Sequence, residues 1–92
     1  MSEKFFDQLP REDSPRVGDV LRSNSARVLL CKVLPYRPDS GLAPACILLC
    51  RTARTRLEYV TWRYNEQSDG CDHGHYHEGN LAEAFADWVE RV

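Results

Sequence analysis

Ninety-two residues, 42% hydrophobic and 28% charged, describe one small domain with a modest core and exclude a disordered chain. The net charge is only −2 and the longest apolar run is "ACILLC", so no bilayer-crossing segment is expected. The opening "MSEKFFDQLP" carries acids and does not read as a signal peptide, so the protein is expected to be cytoplasmic.

Residues 1–25 read as an N-terminal arm or short helix, polar and interrupted by Pro10 and Pro15. Phe5, Phe6 and Leu9 suit one amphipathic turn that docks on the body. Residues 26–92 read as a single sheet-plus-helix domain. Its first strand is "ARVLLCKVLPY" (Ala26 to Tyr36), stopped by Pro35. Both faces of that run are apolar, which predicts a central position in the sheet. "RPDSGLAP" is a loop, and "ACILLCRT" is a second apolar strand. A short polar connection leads to "RLEYVTWRYN". There Glu58, Val60, Trp62 and Tyr64 share one face, and Leu57, Tyr59, Thr61 and Arg63 the other.

"EQSDG" is a turn with an Asp-Gly hairpin signal, and a fourth strand is expected from Cys71 to about His77. "LAEAFADWVERV" is a helix with Asn80 as N-cap and Glu83 three residues on, close to a capping box. Leu81, Phe85, Trp88 and Val92 recur at helical spacing beside Ala84, which predicts an apolar face laid on the sheet. Glu83, Asp87 and Glu90 fall off that stripe. The expected fold is α+β: an antiparallel three- or four-stranded meander with the C-terminal helix packed on one face.

Charge is unevenly distributed. Between Arg22 and Arg63 eight basic residues face two acids, whereas Tyr64 to Val92 holds seven acids against Arg91 alone. Those seven, Glu66, Asp69, Asp72, Glu78, Glu83, Asp87 and Glu90, are the candidate partner-binding surface. Arg51, Arg54, Arg56 and Arg63, with Tyr59 and Trp62 nearby, suit phosphates and bases and form a nucleic-acid-binding alternative. Strand alternation would place Cys71, His73, His75 and His77 on one side, a donor set suited to zinc. Same-face neighbours lie roughly 6.5–7 Å apart along a strand, however, so four in a row cannot converge on one tetrahedron. Without a secretion signal the four cysteines are expected as reduced thiols, and Cys31, Cys46 and Cys50 lie in apolar runs as small hydrophobes. No nucleophile motif, phosphate loop or carboxylate pair is visible, so neither catalysis nor a cofactor is expected.

The stretch "EYVTWRYNEQSDGCDHGHYHEGNLAEAFADWVERV" resembles a pattern in small proteins of phages, plasmids and other mobile elements. That pattern is Tyr/Phe-Val-Thr-Trp, a turn, a strand with Trp-Gly-His-Tyr-Phe, then a Leu-led acidic helix. Tyr59, Val60, Thr61 and Trp62 match the first part, Gly74, His75 and Tyr76 the second, and Leu81 opens the third. His73 and His77 stand where the pattern has aromatic residues, so only His75 is shared. The resemblance implies a context rather than a reaction. The expectation is a non-enzymatic module that occludes a host protein, such as an inhibitor of a defence system of the CRISPR kind. Nucleic-acid binding and metal binding are the alternatives.

Overall fold

The computed structural model describes residues 14–53 and 56–92. The turn expected at Phe5, Phe6 and Leu9, and the candidate Arg54, lie outside the described residues. Four strands form one antiparallel sheet in the order β1 (Arg27–Val33), β2 (Ala45–Thr52), β3 (Glu58–Asn65) and β4 (Gly70–Tyr76). The helix α1 (Leu81–Glu90) follows and packs on β2 and β3. This is the expected meander, with four strands. No helix among the described residues is long and apolar enough to cross a membrane.

β1 is an edge strand, not a central one. Its apolar character on both faces reflects cover on both sides of the sheet. Cys31 and Val33 pack against the main core cluster, while Lys32 reaches the end of α1. Part of the N-terminal segment also docks here. Val20 bridges Arg27, Leu21 is buried, and Val28 N–H donates to the Asp19 carbonyl at 2.8 Å. The central position belongs to β2, where Ala45 to Cys50 form an unbroken buried run.

Register separates two layers. Cys46 pairs with Tyr64, Leu48 with Trp62 and Cys50 with Val60. With Val28, Leu21 and Ala26 these side chains form the main core cluster. The alternate residues, Ile47, Leu49 and Thr61, face α1. The helix therefore covers the face opposite the cysteine-rich layer. Cys46 and Cys50 are buried within that layer, and their thiols are pushed up. For Cys46 the causes are a hydrogen bond with Cys31, then burial, then Glu66; for Cys50 burial dominates and carries the thiol to about 12.

The β3–β4 turn departs from a two-residue Asp-Gly hairpin. Asn65 Oδ1 accepts from the backbone N–H groups of Gln67 at 2.9 Å and Ser68 at 3.1 Å, an Asx turn. Asp69 then takes a left-handed φ of 57°, and Gly70 already belongs to β4. At the helix start, Asn80 Oδ1 accepts from Glu83 N–H at 3.0 Å. The Glu83 carboxylate reaches back to the Asn80 side-chain amide at 3.3 Å, where a capping box would use the backbone.

Candidate functional site

The helix meets the sheet through one edge of its apolar stripe, Ala84 and Trp88, and leaves the rest of the stripe turned outward. Ala84 is the buried helix residue, and its small side chain allows close approach. Trp88 lies half-buried, its Nε1–H donating to the Ile47 carbonyl at 2.9 Å. Leu81, Phe85 and Val89 remain 45%, 48% and 52% exposed, and Val92 is exposed too. Asp87, expected on the solvent side, turns toward the sheet. The reason is hydrogen-bond demand: the sheet face under α1 presents the Thr61 hydroxyl and two imidazoles, and a carboxylate accepts from all three.

Asp87 Oδ2 is the common acceptor. Thr61 Oγ1 donates to it at 2.5 Å, and His75 Nδ1 and His77 Nε2 lie at 2.8 Å and 3.1 Å. His77 Nδ1 faces Glu83 Oε1 at 3.2 Å, so the imidazole ring lies between the two helix carboxylates. Arg91 Nη1 donates to the carbonyl and hydroxyl oxygens of Thr61, both at 3.0 Å. Burial pushes the Asp87 carboxyl up, but the hydrogen bonds from Thr61, His75 and His77 outweigh it and hold the group at about 2. Thr61 is fully buried and donates to Asp87 rather than to an imidazole, so this cluster fastens the helix and presents no exposed nucleophile.

The far end of α1 is held by Lys32. Its Nζ donates to the carbonyls of Trp88 at 2.8 Å, Val89 at 3.0 Å and Arg91 at 2.7 Å, and it lies 4.9 Å from the Trp88 ring centre. The last turn of α1 contains no basic residue of its own, so a neighbouring strand supplies the cation that its carbonyls favour. Burial lowers the Lys32 pKa. Thr61, Lys32 and Arg91 were not singled out from the sequence as functional residues. Their roles depend on how α1 crosses the sheet, which no local pattern announces.

The Cys/His strand does not present one ligand face. Thr61 pairs with His75 and Arg63 with Asp72, so β4 carries an extra residue opposite Trp62. His73 takes up that bulge with a left-handed φ of 53°. Alternation therefore flips: Cys71, paired with Tyr64, joins the core layer, whereas His75 faces α1. The bulge needs Gly74, because a Cβ there would lie 2.6 Å from Trp62 Nε1. His73 is exposed and apart from the Asp87 cluster. Among the described residues no group of three or more histidine, cysteine or acidic side chains is arranged to hold a metal ion. The shared-face premise of the metal reading is thereby overturned.

The candidate acids occupy different places. Glu66 accepts from Ser14 and from the Cys46 thiol, Asp69 accepts from the Tyr64 hydroxyl, and Asp87 lies under α1. Asp72, Glu78, Glu83 and Glu90 are exposed. Asp72 lies near the start of β4, whereas Glu78 lies beyond its end. Arg51 and Arg56 are exposed near the β2–β3 connection, but Arg63 lies toward the other end of β3, opposite Ile47 and Asp72. A cleft of about 540 Å³ mixes Arg16 and Arg22 with Asp19, Glu66 and Asp69. No family model, no curated protein and no solved structure matches the chain.

Proposed function

We propose that the chain is a small, non-enzymatic protein-binding module that occludes a partner through the outer face of α1. One observation carries this reading: Leu81, Phe85 and Val89 form a half-exposed apolar row on a helix that is already anchored from beneath. A helix held through its C-terminal half by Asp87 and Lys32, and nearer its start by the contact of His77 with Glu83, presents those side chains at little further entropic cost. Exposed Glu83 and Glu90 lie further round the helix, beyond Ala82 and Ala86, so the outer face of α1 is apolar along one side and acidic along the other. The resemblance to proteins of phages and mobile elements supports a host protein as the partner, a cytoplasmic site of action and, within that context, inhibition of a defence system.

The test is affinity capture from bacterial lysate with nuclease present, comparing the natural chain with the double variant Phe85→Glu, Val89→Glu. A stoichiometric protein captured only by the natural chain supports the reading. Equal capture by both, or no stoichiometric partner, overturns it.

A further inference from the structure

The arginines divide by position, and one pair stands apart from the set that sequence spacing suggests. Arg27 at the start of β1 sits directly across from Arg51 near the end of β2, and Arg51 sits across from Tyr59 on β3. The three form a row across three strands, and both arginines are exposed beyond the reach of α1. Like charges directly opposite one another weaken a strand pair. Among the described residues neither guanidinium has a carboxylate partner. Arg27 Nη1 donates to the Gly18 carbonyl at 2.8 Å, which fixes that guanidinium while leaving other N–H groups to point elsewhere.

Beside this pair lies a cleft of about 320 Å³, whose lining includes Ser25, Arg27, Arg51 and Thr52 and, among the described residues, no acid. Its composition distinguishes it from the 540 Å³ cleft, where arginines and carboxylates mix. The acids nearest in register are Asp19, beside the Val20 that bridges Arg27, Glu58, opposite Thr52, and Glu78, whose carbonyl accepts from Tyr59 N–H; none of the three lines the cleft.

We propose that Arg27 and Arg51 form a binding site for a phosphoryl oxyanion. Two guanidinium forks suit the several oxygens and the charge of a phosphate group, and hydroxyls of Ser25 and Thr52 border the same space. The group belongs either to a small phosphate or to the backbone of a nucleic-acid strand. Tyr59, across from Arg51 in the row, would offer a ring to a base only where the group belongs to a nucleic-acid strand. Arg63 takes no part, because it lies at the other end of β3.

The test uses the full chain and the double variant Arg27→Gln, Arg51→Gln. Thermal unfolding is followed in inorganic phosphate and in chloride of equal ionic strength, and binding of a fluorescent thymidine oligonucleotide is measured over a salt series. The natural chain should melt higher in phosphate than in chloride, and the variant should show no difference. In chloride alone the variant should melt at or above the natural chain, because a like-charge pair is gone; this separates loss of the site from loss of folding. Oligonucleotide binding more than tenfold tighter than phosphate, with a salt slope that falls by about two in the variant, assigns the group to a nucleic-acid backbone. Phosphate stabilisation without tighter oligonucleotide binding assigns it to a small phosphate. Equal melting in both anions together with no oligonucleotide binding, or binding that the variant retains in full, overturns the proposal.

Discussion

Replacing Asp87 by alanine removes the one acceptor shared by Thr61, His75 and His77. The Thr61 hydroxyl, fully buried, loses its acceptor, which costs about 1–3 kcal/mol. The His77 contact is well enclosed, with a side chain 10% exposed, and a charge-assisted bond of this kind contributes about 1.5–3 kcal/mol. His75 is half-exposed, so its contact adds little. Because these bonds are coupled, the expected loss is about 2–4 kcal/mol, a large part of the 5–15 kcal/mol typical of a small domain. The pH dependence offers a second reading of the same group. Its folded pKa of about 2 lies below the ordinary 3.8, so the stabilisation is complete above pH 3.8 and is lost as pH falls through about 2. That limb amounts to at most about 2 kcal/mol, since the carboxylate is partly exposed. Urea unfolding at pH 7 and between pH 4 and 2 checks both. A variant within about 0.5 kcal/mol of the natural chain at pH 7, or one that loses stability in acid in parallel with it, would refute the anchoring role of Asp87.

Four further outcomes are expected. Lys32→Met keeps the stem but leaves the carbonyls of Trp88, Val89 and Arg91 without their donor, and should lower stability by about 1–2 kcal/mol in urea unfolding, with faster amide exchange in the last turn of α1. Gly74→Ala forces a methyl group against Trp62 and should cost about 1–3 kcal/mol, with a changed tryptophan emission. Phe85→Glu with Val89→Glu should lower the unfolding free energy by no more than about 1–2 kcal/mol, chiefly through loss of the Phe85 stack on Trp88, because both side chains are half-exposed; a larger loss would mean that the outer row is part of the core. Thiol labelling of the native chain at pH 8 should modify Cys31 and Cys71 first. Cys46 and Cys50 should react only on unfolding, since both are buried and burial holds the Cys50 thiol up at about 12.

Much of the fold follows from local pattern. "ACILLCRT" is β2 residue for residue, the alternation of Val60, Trp62 and Tyr64 against Thr61 names the two faces of β3, and Asn80 marks where the helix begins. These are properties of backbone propensity and side-chain period, which neighbours along the chain settle among themselves. The site was only partly legible for the same reason. A period-2 reading of "CDHGHYH" puts four donors on one face, but a single bulge at His73 moves Cys71 into the core and His75 under the helix. The rotation of α1 is likewise a tertiary decision. Its apolar row is longer than the face that docks, and the unmet hydrogen bonds of Thr61, His75 and His77 draw Asp87 inward while Phe85 and Val89 turn out. Sequence alone determined the strands, the helix and the order in which they occur. Which face of the helix meets the sheet, and which arginines face each other across it, was decided by long-range pairing and by the cost of burying polar groups without partners.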